Sequence, residues 1–236
     1  MKLRNIILAG ILSSTALTAT AVESQNQSND YYVQLNAGYV HGQAPKKNFT
    51  QGSMGNTGLY GIEAGYRFNE HFRSSLSLSY IQDFKNNYSV NSIKTAKNGN
   101  KANITTNYNT KVKSLVSMLN VYYDIMEINK FTPYITLGAG MSSNKTSSTT
   151  TKSAADKSVS ATYATATHNS FAYQAGFGSR YTINKDFDLD LRYVYADLGR
   201  FKTGTSASYN GRSENVAAKT GKLRAQEIIV GIIYKF

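Results

Sequence analysis

The side chains able to do covalent or metal chemistry are few in this sequence of 236 residues. The chain contains no cysteine, which excludes disulfides, thiolate metal ligands and cysteine nucleophiles. His41, His71 and His168 are scattered along it and do not predict a histidine-ligated metal site. His168 and Ser170 have a spacing that could pair a serine nucleophile with its base. No carboxylate is placed to orient the imidazole, so we predict no catalytic residues. We also predict no metal and no cofactor.

A second group consists of acids and bases that alternate with large apolar residues, as in 187–192. A period of two puts the charges on one face of a strand and the apolar residues on the other. We expect the charges to form ion pairs in an enclosed lumen, with small residues such as Gly65 and Gly178 leaving space for arginine side chains. A sealed polar core and a narrow conduction path both stay open. The predicted lumen network is Glu63, Arg67, Arg73, Asp83, Asp124, Arg180, Asp188, Asp190, Arg192, Glu227 and Lys235.

A third group is a surplus of basic residues, since the formal net charge is +12. Four polar segments, about 41–57, 85–112, 142–169 and 199–222, carry fifteen basic residues against two acids. We predict mobile loops whose charge attracts polyanions, the alternative being a solubilising surface without a dedicated partner. Nucleic acid is not expected, because the bases lack a rigid spacing. The candidate binding residues are Lys46, Lys47, Lys85, Lys94, Lys97, Lys101, Lys111, Arg200, Lys202, Arg212, Lys219 and Lys222.

The elements that carry these residues are strands separated by gaps that are short and long in turn. Each strand is long enough to cross a bilayer when tilted. The pattern predicts an all-β fold, an eight-stranded antiparallel up-and-down transmembrane β-barrel with short periplasmic turns and four long extracellular loops. A soluble β-sandwich would instead direct its apolar face inward. The predicted strands are 31–40, 58–68, 72–82, 113–125, 131–141, 170–183, 187–196 and 223–236.

The first residues predict export. Lys2 and Arg4 precede a short apolar run, and Ala19-Thr-Ala21 has the small residues of a cleavage site. This is the arrangement of a secretory signal peptide. We therefore predict a signal peptide at 1–21 and a barrel domain at 22–236.

The last strand resembles the closing strand of bacterial outer-membrane barrels. Ile232, Tyr234 and Phe236 share one apolar face, and the sequence ends on the aromatic residue. In such barrels the terminal aromatic is part of the signal read by the barrel-insertion machinery. The resemblance therefore implies that this machinery is a partner.

Two further segments resemble the opacity-type and rickettsial surface-antigen branch of the small eight-stranded outer-membrane barrels, the superfamily that includes the OmpA membrane domain and OmpX. They are Asn120-Val-Tyr-Tyr-Asp124 and Pro133-Tyr-Ile-Thr-Leu-Gly-Ala-Gly140. The resemblance implies an integral outer-membrane protein with loops at the cell surface, acting as an adhesin or surface antigen and not as an enzyme. The resemblance implies outer-membrane lipid as the surroundings and a host-cell protein as a partner. The loop charge adds glycosaminoglycans and the phosphates of lipopolysaccharide as candidate partners. A narrow porin and a purely structural barrel are the alternatives.

Overall fold

Ten β-strands make up the part of the chain that the computed structural model describes, residues 30–43, 53–95, 101–154, 157–209, 212–218 and 220–236. Among these residues, no helix has the length and hydropathy needed to cross a membrane. Two of the strands, β8 and β9, are four residues long and form a small hairpin. The strands are β1 (Tyr31–Gln43), β2 (Ser53–Arg67), β3 (Phe72–Thr95), β4 (Lys101–Asp124), β5 (Phe131–Ala154), β6 (Lys157–Thr182), β7 (Phe187–Lys202), β8 (Ser206–Tyr209), β9 (Arg212–Asn215) and β10 (Thr220–Lys235).

The eight long strands close into a barrel. Each pairs antiparallel with the next long strand along the chain, and β10 pairs with β1. The closing register places Val33 opposite Tyr234 and Tyr39 opposite Ile228. Closure leaves no open sheet edge within the ring, which satisfies the backbone groups of every strand there. The predicted eight-stranded up-and-down barrel is confirmed.

The barrel wall is apolar outside and polar inside. Along β7, Leu189 and Leu191 point outward with 41% and 57% of their surface exposed, while Asp188 and Asp190 point inward and are at most 1% exposed. A soluble barrel would show the reverse, because water would favour apolar residues in the core. This inverted alternation is the one that a lipid-facing wall requires.

One end of the barrel, hereafter the turn end, carries the three short turns. Two of the turns start at an asparagine whose side-chain oxygen accepts two backbone N–H hydrogen bonds. Asn69 accepts from His71 and Phe72, and Asn184 accepts from residues 186 and 187. Such Asx turns let a side chain satisfy the backbone where the ladder ends. Aromatic pairs surround this end and form the girdle that is typical of a membrane interface: Tyr31–Tyr66, Tyr66–Phe68, Phe72–Tyr123, Phe131–Tyr181, Phe187–Tyr234 and Tyr234–Phe236.

The opposite end, hereafter the hairpin end, differs from the prediction. Segments 85–112 and 142–169 were expected to be mobile loops, yet most of their residues continue the ladders β3–β4 and β5–β6, and these strands reach 24 to 26 residues. Their Thr-rich sequences favour strands. Inward threonines are buried there, and Ser148 donates a hydrogen bond of 3.1 Å to Thr110. Hydrogen bonding to a neighbouring strand therefore replaces the apolar core that these segments lack.

Candidate functional site

Five charged side chains form a continuous chain of ion pairs near the turn end of the lumen. Asp124 accepts from Arg73 at 3.1 Å and from Arg180 at 2.7 Å. Arg180 also reaches Asp188 at 3.2 Å, and Asp188 binds Lys235 at 2.7 Å. All five side chains are at least nine-tenths buried. Each charge thus has at least one opposite charge beside it, which is what holds buried charges in a low-dielectric interior. Arg73 Nη2 and Arg180 Nε are buried without a hydrogen-bond partner among the described residues.

A second cluster lies around Arg192. Its guanidinium is 3.2 Å from Glu63 and 3.7 Å from Asp190. The Tyr122 hydroxyl donates to Glu63 at 2.6 Å, and the Tyr134 hydroxyl donates to Asp190 at 2.5 Å. The two acids and Arg192 are therefore hydrogen-bonded as well as ion-paired, and the cluster offers few free positions to a solute.

Three inward tyrosines were not anticipated from the sequence. The guanidinium carbon of Arg73 lies 4.0 Å from the Tyr122 ring centre, 4.6 Å from that of Tyr134 and 5.9 Å from that of Tyr32. These distances fit cation–π contacts. The doublets 31–32 and 122–123 held the signal, since two adjacent tyrosines on a strand must face opposite sides.

The glycines on the inward face make room for these rings and not only for arginines. A Cβ at Gly65 would meet the ring of Tyr32, and a Cβ at Gly178 would lie 2.7 Å from the Tyr134 hydroxyl. The expectation about small residues is therefore corrected, because tyrosine rings fill the space at these two positions.

One predicted member of the lumen network lies elsewhere, and another lies at the edge of the network. Asp83 is half-exposed outside, because the β3–β4 register shifts between Ile81 and Phe84 and carries it off the inward face. Placing it in the lumen was wrong. Arg67 is half-buried at the end of β2, and its Nε has no hydrogen-bond partner. Glu227 is buried as predicted and lines a cavity of about 20 Å³ together with Arg192.

An apolar layer fills the barrel between the charged clusters and the hairpin end. Its members are at most 5% exposed. Phe84 is seated against Gly42, where a Cβ would come within 2.5 Å of its ring. The 20 Å³ cavity beside the layer has room for about one water molecule. Such a layer disfavours a solute path. It comprises Val40, Met54, Leu59, Ile81, Phe84, Val112, Val116, Met118, Ala172, Val194, Ala196, Leu198, Phe201, Leu223, Ala225 and Ile229.

The predicted basic binding residues that the structure describes belong to strands at the hairpin end, and the others fall outside the described residues. Lys111 is half-buried, and Lys94 and Lys101 are described by their strand positions alone. The remaining four, Lys46, Lys47, Lys97 and Lys219, lie outside the described residues. The exposed members are Lys85, Arg200, Lys202, Arg212 and Lys222.

One part of this wall contains its own counter-charge. Asp197 is 3.2 Å from Lys222 and 3.4 Å from Arg224, and its side chain is 4% exposed. The Tyr173 hydroxyl and the Gly199 N–H also donate to it, at 3.4 and 3.0 Å. Lys222 is thus already paired, which makes it a weaker candidate for binding an external anion.

The same lipid-facing, closed architecture is found in a known family. The outer membrane protein beta-barrel domain family matches residues 9–236. The chain belongs to this family. The outer-membrane barrel therefore lies in the bacterial outer membrane, with its turn end toward the periplasm and its hairpin end at the cell surface.

Relatives of this outer-membrane barrel come from several bacteria. Outer membrane protein PagN of Salmonella typhimurium is 26% identical over 202 residues, which cover 84% of this chain and 79% of PagN. The uncharacterised protein RP788 of Rickettsia prowazekii is 30% identical over 132 residues, covering 56% of this chain and 72% of RP788. The expected membership of the small outer-membrane barrels is confirmed.

Solved structures with a similar fold include Neisserial surface protein A, with 20% identity and a TM-score of 0.49, covering 87% of this chain and 97% of that chain. Ail, the attachment invasion locus protein of Yersinia pestis, shows 13% identity and a TM-score of 0.42, covering 88% and 99%. Ail has also been solved in complex with the heparin analogue sucrose octasulfate.

The His168–Ser170 pair of this outer-membrane barrel is not arranged for catalysis. Ser170 Oγ donates to the Arg200 carbonyl at 3.1 Å and accepts from the Arg200 N–H at 3.0 Å. The hydroxyl thus ties β6 to β7 and is not directed at His168. No cluster of three or more potential metal ligands was found among the described residues.

Proposed function

We propose that this outer-membrane barrel is a surface-displayed binding protein of the adhesin type, whose basic hairpin end binds anionic partners such as sulfated glycosaminoglycans or acidic host-cell proteins. The observation that carries the proposal is the distribution of charge. Five buried acids inside the barrel face four buried bases and the half-buried Arg67. Among the residues that the structure describes, the surplus positive charge therefore lies at the hairpin end, which supports the proposal.

The binding mode would be the sum of many weak contacts. Arg200, Lys202 and Arg212 are exposed, and exposed charge pairs each contribute less than about 1 kcal/mol. Such contacts are screened by salt over a distance of about 8 Å at physiological ionic strength. Binding should therefore be strong for polyvalent anions, weak for single charges, and sensitive to salt.

The narrow-porin alternative has less support. The apolar layer that includes Phe84, Leu198 and Phe201 crosses the lumen, and the charged clusters below it are paired. A conduction path would have to open both. An enzymatic role has less support still, because the Ser170 hydroxyl is engaged with backbone.

Two partners are proposed in addition. Ile232, Tyr234 and Phe236 lie exposed on the outward face of the closing strand, which supports their role as the insertion signal. Lipid surrounds the apolar wall in the membrane.

The direct test is binding of heparin to bacteria that display the protein, in increasing salt. A variant with Lys94, Lys101, Lys202 and Arg212 changed to Gln removes four charges from the hairpin end. At about 0.5 kcal/mol each, Kd should rise roughly thirtyfold.

The matched control for this test compares two charges at each end. Lys202→Gln with Arg212→Gln should weaken heparin binding, whereas Lys130→Asn with Lys185→Gln at the turn end should not. Asn is chosen at position 130 because Lys130 has a φ of 71°, a conformation that Asn tolerates. Equal binding by all variants, or binding unaffected by salt, would refute the proposal.

A further inference from the structure

We propose that Lys85, Lys111, Lys113 and Lys145 form a lateral site on the outer wall for the phosphate groups of a lipid A-type glycolipid in the outer leaflet. We name these four residues the wall cluster. Lys113 and Lys145 were not among the predicted binding residues. The proposal concerns the surrounding membrane, so it stands apart from the binding of external partners.

The strand register brings the four lysines together. Lys85 of β3 lies directly opposite Lys111 of β4, and Lys113 of β4 lies directly opposite Lys145 of β5. Directly opposed residues have Cβ atoms about 5 Å apart on the same face, so each pair juxtaposes two ammonium groups. Their inward neighbours Val112 and Asn144 are buried, which fixes the lysines on the outward face.

Like charges in opposed positions destabilise a sheet unless an anion lies between them. Among the described residues, none of the four lysines has a carboxylate within 4.0 Å. The acid closest in register is Asp83, half-exposed in the β3 bulge opposite Lys113. One carboxylate would still leave three positive charges without a counter-ion.

On the opposite wall of the barrel, two opposed basic residues are neutralised by an acid of the chain itself. Lys222 lies opposite Arg200, and buried Asp197 ion-pairs with Lys222 and Arg224. In the barrel ring, β4 and β10 are four strands apart and so face opposite directions. The wall cluster resembles this arrangement with the internal acid missing, which points to an anion from outside the chain.

The position of the wall cluster relative to the membrane favours a lipid phosphate over a soluble anion. On β4, Leu115 faces lipid with 47% of its surface exposed, and the next outward residues are Lys113 and Lys111. On β5, Met141 is exposed and Lys145 lies two outward positions further on. At about 3.3 Å per residue, the lysines begin roughly 7 to 14 Å beyond the last apolar side chains, the level of lipid headgroups.

A polar depression beside the cluster gives the rest of a headgroup a place to bind. It has a volume of about 470 Å³ between β2 and β3, and its lining includes Asn56, Gln82, Tyr80 and Lys85. Amide and hydroxyl groups of this kind hydrogen-bond sugars. The depression and the lysines therefore match the two parts of a phosphorylated glycolipid.

The test uses the protein folded into phosphatidylcholine vesicles that contain either bisphosphorylated lipid A or the same lipid with both phosphates removed. The amount of lipid A that stays with the protein after mild detergent extraction is measured by native mass spectrometry. Wild type should retain the phosphorylated lipid, and the variant with all four wall-cluster lysines changed to Gln should retain at least tenfold less. The matched control, Lys185, Arg200, Lys202 and Arg212 changed to Gln, should retain as much as wild type.

A second readout separates a lipid site from a purely structural role. In neutral detergent, Lys113→Gln and Lys145→Gln should each raise the midpoint of thermal unfolding, because they relieve repulsion. In lipid A vesicles the same substitutions should lower it, and Lys→Arg at both positions should behave as wild type. These single variants also serve if the fourfold variant does not fold.

Three results would overturn the proposal. They are retention of lipid A by the fourfold variant at the wild-type level, equal retention of the dephosphorylated lipid, and no reversal of sign between detergent and lipid A. Heparin binding is measured on the same variants. Loss of lipid A retention by the wall-cluster variant supports the wall cluster whether or not heparin binding also falls, because Lys85 and Lys111 are candidates for both ligands. A wild type that retains lipid A but does not bind heparin overturns the proposed function alone.

Discussion

The carboxylate of Asp124 lies 3.1 Å from the guanidinium of Arg73, and both side chains are only 1% exposed. Asp124 also holds Arg180, so one acid serves two buried bases. Removing one partner of a buried pair leaves an uncompensated charge, which costs about 3–5 kcal/mol.

The first prediction follows from this pairing. Asp124→Asn should lower the free energy of unfolding by about 3–5 kcal/mol, measured by urea titration in lipid vesicles with the gel shift of folded barrels as readout. Asp83→Asn is the matched control, since Asp83 is half-exposed on the outer wall and should change stability by less than about 0.5 kcal/mol. Equal effects at the two positions would contradict the assignment of Asp124 as the centre of the network.

The second prediction uses the two adjacent tyrosines of β4. Tyr122→Phe removes a hydroxyl that donates to Glu63 and accepts from Arg192 Nη1 at 3.1 Å, so it should cost about 1–3 kcal/mol. Tyr123→Phe removes a hydroxyl from the outward face and should be nearly neutral. A larger loss of stability from Tyr123→Phe would mean that the inward and outward faces are assigned the wrong way round.

The third prediction concerns conductance. Wild-type protein in planar bilayers should show no discrete current steps, because the apolar layer crosses the lumen. Arg67→Gln should leave the trace unchanged for the same reason. Regular conductance steps in the wild type would favour the porin alternative.

The apolar layer should also contribute to stability. Phe84→Ala should destabilise the barrel by about 3–5 kcal/mol, whereas Phe171→Ala on the lipid-facing wall, 63% exposed, should cost much less.

The fourth prediction tests the ordered hairpins. Backbone amides at 105–111 of β4 are flanked by paired strands on both sides and should exchange with solvent slowly. The exposed turn at 69–71 provides the fast-exchanging reference. Exchange at 105–111 as fast as in that turn would restore the loop interpretation of this segment.

Much of the barrel could be predicted because its information is local. Alternation with a period of two identified all eight strands and placed ten of eleven network residues on the inward face. The exception is Asp83, which follows a bulge between Ile81 and Phe84. A bulge moves the following side chain to the other face of the strand, and the amino-acid composition does not reveal it.

The hairpin end could not be predicted in the same way. The outer halves of β3 to β6 lack apolar alternation, and they are strands because each pairs with a neighbour, a property of two segments together. The wall cluster is missed for the same reason, since Lys113 and Lys145 are far apart in sequence and meet only through the β4–β5 register. The apolar layer could have been predicted from the alternation along the strands. Val112, Val116 and Met118 lie on the same inward face of β4 as its charged residue.

The length of the β3–β4 hairpin determines where an approaching surface first meets this protein. Ten residues of β3, 86–95, continue past Lys85. At about 3.3 Å per residue they add roughly 30 Å of strand, comparable to the thickness of the hydrocarbon core below them. Thr95 and Lys101, the outermost pair of this ladder, are thus raised beyond a layer of short sugar chains next to the membrane. A cell coated with longer polysaccharide would cover this pair, so the coat itself would govern when the protein can make contact.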